Sequence, residues 1–298
     1  MEPIWNWGNE IIVSIQAVHN PPLDGFFNAV TFMGEAEFYL LIFPLIMWAF
    51  NKSIGQRAVF LVFFGLTVNT WVKDIFNHPR PYEWPSPTTS PVLDLNHNAH
   101  GPGLPSGHAQ ASLMLWYYLA YHFKRRWLWV LATILFVLIS FSRIYLGVHF
   151  PTDVLGGAIL GLSMLLIFIR FEGTWAGILQ TPPVWLQVSL AVVLPFILII
   201  IYPHPDAVAA LSALSGFSLG IIFDRRIIHF EVAGTITQKT LRYIVGIILL
   251  VIIYAGIKTF QPNPDQALYI PVRMLRFLVA GFWVSGGAPW FFTKIKLA

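Results

Sequence analysis

Three short stretches of the chain carry side chains able to bind a phosphoryl group and cut it. Lys73 and Arg80 stand with six residues between them, and Pro81 follows the arginine. Pro105-Ser106-Gly107-His108 forms the second stretch, and Ser142-Arg143, His149 and Asp153 form the third. Together they supply lasting positive charge for phosphoryl oxygens, a hydroxyl, two imidazoles for nucleophilic and acid–base work, and one carboxylate.

Each stretch also has a plain alternative. Lys73 and Arg80 suit cations snorkelling at a helix end. Pro81 stops further helix, however, so Arg80 sits on a turn, where its planar fork suits bidentate phosphate binding and Lys73 adds a point charge. Ser106 reads as the cap of a helix whose apolar run extends from Ala109 to Tyr121. Its free amides favour an anion, Gly107 allows close backbone approach, and His108 can carry a proton at working pH. Arg143 is tolerable only near the bilayer edge or paired. Pro151 fits a first helical turn and puts Asp153 in that turn. There Asp153 either stabilises the helix start or reaches back to one ring nitrogen of His149.

The elements that must position these residues are apolar. The chain is 56% hydrophobic and 11% charged, against about 25% charged in a soluble domain, so it buries surface in lipid. Nine stretches predict spanning helices: 36–51, 58–77, 106–123, 127–147, 152–170, 184–203, 207–223, 241–259 and 270–292. Upstream, residues 4–34 are broken by Asn20-Pro21-Pro22 and read as two amphipathic helices in the interface. The N-terminus lacks a basic region and a cleavage pattern, so no removed signal peptide is expected.

Twelve of the eighteen basic residues, among them Lys124, Arg125, Arg126, Arg225 and Arg226, fall in alternate connections, which marks those as cytoplasmic. All three motifs then lie at the opposite membrane face. The connection 78–105, with seven prolines, reads as a lid or entrance rim whose Tyr82, Trp84 and Leu95 could touch lipid.

The three motifs, Lys-x6-Arg-Pro, Pro-Ser-Gly-His and Ser-Arg-x5-His-x3-Asp, match without a departure the signature of the type 2 phosphatidic acid phosphatase (PAP2) superfamily. The chain resembles its membrane lipid phosphatase branch up to about residue 170. The resemblance implies an all-α polytopic membrane protein, with a catalytic core over 35–170 behind the interfacial helices of 1–34. Additional C-terminal transmembrane helices over 171–298 exceed the usual six-helix core and are similar, by helix count, to sphingosine-phosphate phosphatase-like and glucose-6-phosphatase-like members. It implies that His149 attacks phosphorus to form a phosphohistidine. His108 protonates the leaving oxygen and then activates water, and Asp153 orients His149. Lys73, Arg80, Ser106, the Gly107 amide and Arg143 hold the non-bridging oxygens.

The expected substrate is a phospholipid, sphingoid or polyprenyl phosphate or pyrophosphate, taken from the bilayer. Phosphotransfer to an acceptor hydroxyl and hydrolysis of a soluble sugar phosphate are the alternatives. A transporter or non-catalytic lipid binder ranks below them, because transporters place charge at the midplane and often show inverted repeats. No metal or other cofactor is expected: cysteine is absent and acidic residues number fourteen. His97 and His100, near Asp94, read as solvated loop residues. A net charge of +4 without a basic stripe argues against nucleic acid. A bacterial plasma membrane, with the site facing the periplasm or exterior, is the expected location; an endoplasmic-reticulum membrane with a lumenal site is the alternative.

Overall fold

The computed structural model describes residues 2–85, 92–96, 99 and 101–297, and no strand occurs among them. The helices are α1 (Glu2–Gln16), α2 (Pro21–Phe32), α3 (Ala36–Leu45), α4 (Lys52–Phe76), α5 (Gly107–Phe123) and α6 (Arg126–Tyr145). They continue as α7 (Pro151–Gln180), α8 (Val184–Ile201), α9 (Pro205–Phe223), α10 (Ile236–Lys258), α11 (Tyr269–Phe282) and α12 (Ala288–Lys294). The protein is an all-helical integral membrane protein.

Among the described residues, six helices are long and apolar enough to cross a membrane, or seven if the bent pair α2 and α3 forms one span. The nine expected spans are therefore not all present as such. Region 36–51 divides into α3 and a π-helical turn at Ile46–Phe50, and α5 has 17 residues. Region 270–292 breaks into α11, a π-turn at Trp283–Gly287 and α12. Apolar runs read as unbroken in sequence are interrupted where the backbone changes its hydrogen-bond register.

Contacts divide the chain into two compact units, residues 1–39 with 68–168 and residues 40–67 with 169–298. Every motif residue lies in the first. There α5 and α6 form a hairpin across a short connection, with Lys124 in the left-handed conformation closing α5. Helix α7 approaches α5 through glycines one turn apart. A Cβ at Gly157 would lie 2.3 Å from the Ser106 carbonyl oxygen, and one at Gly161 would lie 2.9 Å from that of Gln110. Small residues at this spacing let helices meet backbone to backbone. Asn69 Nδ2 ties the end of α4 to the same place, donating to Gln110 Oε1 at 2.7 Å and to Pro105 O at 3.2 Å.

The described parts of the 78–105 connection are fastened to α1 and α2. Gln16 Nε2 donates to Leu93 O at 2.8 Å and to Tyr145 O at 2.9 Å, while its Oε1 accepts from Leu93 N at 2.9 Å. Tyr82 and Leu95 pack on a cluster of Ala99, Tyr145, Leu146 and Val148, and Trp84 packs on Ile12, Val92 and Phe150. These side chains are partly buried against protein. Apolar surface finds a protein partner as readily as a lipid one when a neighbouring helix supplies it.

In the second unit, small residues along α9 admit α11, with Gly281 facing the Ala213 carbonyl. A fully buried Asp224 pairs with Lys52 Nζ at 2.7 Å and caps Phe230 N at 3.0 Å. These buried charges are met by partners, as burial requires.

Candidate active site

Ser106 caps α5 as its sequence suggested: it is extended (φ −68°, ψ 114°) and its Oγ accepts from Ala109 N at 3.5 Å. Its own amide donates to the Asp153 carbonyl oxygen at 2.9 Å. The openings of α5 and α7 are thereby bonded together. Gly107 starts α5, and its neighbour His108 presents Nε2 at 3.6 Å from Glu35 Oε1.

Pro151 begins α7 and Asp153 lies in its first turn. Asp153 is completely buried, a state that would be prohibitive for an uncompensated carboxylate. Its Oδ2 accepts from Phe150 N at 2.9 Å and stands 3.4 Å from His149 Nδ1. Its Oδ1 stands 3.0 Å from His78 Nδ1.

The loop between α6 and α7 turns at Gly147, where φ is +74° and a Cβ would strike the Leu93 carbonyl. That turn delivers His149 to the site. Arg80 Nη1 donates to Val148 O at 2.7 Å and lies 3.4 Å from His149 Nε2, while Arg80 Nε donates to Gly101 O at 2.8 Å. Lys73 Nζ donates to Pro102 O. On the last turn of α6, Arg143 Nη1 donates to Thr31 Oγ1 of α2.

Burial pushes the His149 imidazole well below its ordinary range; nearby Arg80 and Lys73 act in the same sense and the Asp153 contact acts against it. A neutral ring with its proton on Nδ1 toward Asp153 leaves a lone pair on Nε2. That lone pair faces Arg80.

The structure thus brings Arg80, His149, Asp153 and Ser106 into one contiguous set, with Lys73 bonded to the same loop. His108 sits at the start of α5 with Glu35, which is within electrostatic reach of Arg143 as well. Sequence reasoning missed His78, Glu35 and Thr31. His78 sits inside the first motif, yet no spacing rule ties it to Asp153. His97 and His100 lie outside the described residues. Among the described residues, no group of three or more His, Asp or Glu is arranged to hold a metal ion.

Comparison with known families gives two matches: residues 56–176 match the PAP2 superfamily, and residues 208–298 match the transmembrane extension of PAP2 superfamily phosphatases. The chain belongs to the PAP2 superfamily. The first match contains all eight motif residues, and the second covers most of the C-terminal helices. Among curated PAP2 relatives, lipid phosphate phosphatase delta of Arabidopsis thaliana is 26% identical over 304 residues, covering 91% of this chain and 72% of its own length. Sphingosine-1-phosphate phosphatase 2 of Homo sapiens is 26% identical over 204 residues, covering 63% of this chain and 49% of its own. The chain therefore spans about half the length of the human protein. Among solved structures, the transmembrane PAP2 type phosphatidylglycerolphosphate phosphatase from Bacillus subtilis superposes with a TM-score of 0.47 at 22% identity, over 58% of this chain and 88% of that one.

Proposed function

We propose that this PAP2 protein hydrolyses a lipid phosphomonoester or pyrophosphate through a phosphohistidine on His149. The observation that carries the reading is the position of the His149 ring, with Nδ1 3.4 Å from Asp153 Oδ2 and Nε2 3.4 Å from Arg80 Nη1. One side of the ring is oriented by a carboxylate, and the other meets a cation suited to a phosphoryl oxygen.

The substrate phosphoryl group binds Arg80, Lys73, Arg143, the Ser106 hydroxyl and the Gly107 amide, which draws Arg80 off the His149 lone pair. Nε2 attacks phosphorus as the bond to the leaving oxygen breaks, and His108 donates the proton that oxygen needs. Asp153 stabilises the positive charge that develops on His149. Water then gives a proton to His108 and attacks phosphorus, the P–N bond breaks, and phosphate leaves with His149 neutral again. The cations offset charge on the non-bridging oxygens throughout, a contribution of several kcal/mol in comparable sites.

The names of the relatives and the apolar helices around the site support a lipid as the carrier of the phosphate. The basic residues support an outward-facing site: α5 opens at Ser106 and ends beside Lys124, Arg125 and Arg126, and such runs favour the cytoplasm. A bacterial plasma membrane with the site on its outer side fits that arrangement.

Phosphate release from purified protein in mixed micelles tests the reading, using phosphatidic acid, phosphatidylglycerophosphate, undecaprenyl pyrophosphate, a sphingoid phosphate and a sugar phosphate. Release from at least one lipid, lost in His149→Ala, is expected. Release from the sugar phosphate alone would replace the lipid by a soluble substrate, and release only with an added acceptor alcohol would replace hydrolysis by transfer.

A further inference from the structure

We propose that His78 is a positioning residue for the reaction, acting on the nucleophile through the second oxygen of Asp153. The inference rests on the phosphohistidine reading and deepens it.

His78 is buried, 6% exposed, at the turn after α4. Its Nδ1 lies 3.0 Å from Asp153 Oδ1, without the alignment of an ideal hydrogen bond. Its other nitrogen, Nε2, accepts from the indole Nε1–H of Trp5 on α1. Indole nitrogen can only donate. That contact occupies the Nε2 lone pair, so a neutral His78 carries its proton on Nδ1, the nitrogen 3.0 Å from Asp153 Oδ1. Trp5 is itself held edge-on against His78 and Trp84, with ring centroids 5.0 and 4.5 Å apart, and Phe150 closes the other edge of His78 at 5.8 Å.

The carboxylate is thus approached from three directions: Phe150 N–H and His149 Nδ1 at Oδ2, and His78 Nδ1 at Oδ1. With His78 Nδ1 standing 3.0 Å from Oδ1, rotation of the carboxylate plane about its stem is restricted, which keeps Oδ2 toward His149. The backbone locks the same group from behind, since His78 O accepts from Gly103 N at 2.7 Å, and a Cβ at Gly103 would lie 2.8 Å from Asp153 Oδ2. Outer-shell partners that orient the ligands of metal sites change affinity or activity by about 10–100-fold when removed, and an orienting partner of the same kind is expected to act on that scale here.

His78 could instead serve only to fill space among Trp5, Trp84 and Phe150, and two substitutions separate the roles. His78→Phe keeps a ring and loses the donor; His78→Asn loses the ring and can present an amide N–H near the Nδ1 position. Full-length protein is assayed in mixed micelles on whichever lipid phosphate it turns over, with thermal unfolding measured in parallel. The positioning role predicts that His78→Phe lowers kcat by about 10–100-fold with KM changed less than about twofold, and that His78→Asn recovers most of the loss. Full activity in His78→Phe, or no recovery in a folded His78→Asn, overturns it. In ¹⁵N-histidine spectra of the wild-type protein, His78 is expected as the Nδ1–H tautomer, and an Nε2–H tautomer also overturns the inference. His149→Ala runs beside them: if it retains turnover the phosphohistidine reading fails, whereas a dead His149→Ala beside a fully active His78→Phe defeats only the role given to His78.

Discussion

Arg80 Nη1 stands 3.4 Å from His149 Nε2, on the side of the imidazole away from Asp153. The atom expected to attack phosphorus and the cation expected to bind its oxygens therefore already touch. Substrate has to part them to reach the lone pair, so binding and alignment become one event.

That relationship makes the arginine's shape matter beyond its charge. Arg80→Lys keeps a cation but loses the fork that reaches Gly101 O and Val148 O together. A fall in kcat/KM of about 100-fold is expected, equal to roughly 2.7 kcal/mol, with a parallel weakening of vanadate inhibition. An Arg80→Lys enzyme within about threefold of wild type, a difference of under ~1 kcal/mol, would mean the fork has no role.

Under the proposed mechanism, Asp153→Asn removes the charge that holds the His149 ring and stabilises it during attack. Turnover should fall by about 10³–10⁴-fold, as when the orienting carboxylate of other histidine sites is neutralised. Rapid acid-free quenching with radiolabelled substrate should show label on His149 in wild type and none in His149→Ala.

The pH dependence follows from burial of His149. Nucleophilic attack needs the neutral ring, and burial holds its protonation well below the ordinary value, which is about 6.5. As pH falls from about 8, the ring should stay neutral through about pH 6.5 and become charged only in more acid solution. A ¹⁵N-histidine titration reads this directly, free of the substrate's own ionisation. A midpoint at or above about 6.5 would contradict the burial argument.

Under the proposed mechanism, Lys73, Arg80 and Arg143 supply the charge compensation and no divalent ion is required. Turnover in EDTA should match turnover in plain buffer within about twofold, the scatter of such assays being small beside a tenfold change of about 1.36 kcal/mol. Loss in EDTA restored by Mg²⁺ or Zn²⁺ would put a metal into the mechanism.

Gln16 offers a test of the scaffold. It joins α1 to Leu93 twice and to Tyr145 once, and is 5% exposed. Gln16→Leu leaves Leu93 N, Leu93 O and Tyr145 O without those partners, which should cost about 2–4 kcal/mol. Thermal unfolding in detergent should drop accordingly, with kcat reduced because the Tyr145–His149 turn loosens. An unchanged melting temperature would show that these bonds are replaced by water.

The chemical inventory can be read from the chain without coordinates. Lys73, Arg80, Ser106, Gly107, His108, Arg143, His149 and Asp153 are legible because short spacings and helix-start signals constrain them: Ser106 caps α5, Pro151 opens α7, and the four-residue step from His149 to Asp153 brings both to one turn. The membrane class is equally legible, since apolar composition is a sum over residues and needs no geometry. Where apolar helices break is not: the π-turns at Ile46–Phe50 and Trp283–Gly287 lie within runs that the sequence reads as single spans. Folding in three dimensions is what makes Trp5 meet His78, 73 positions away, and Thr31 meet Arg143, 112 positions away. It also packs Tyr82, Trp84 and Leu95 against clusters drawn from other helices and loops. Contacts at such separations leave no period or spacing in the sequence, and they come into being when helices bury their faces against one another and bring polar groups into reach that must then be satisfied.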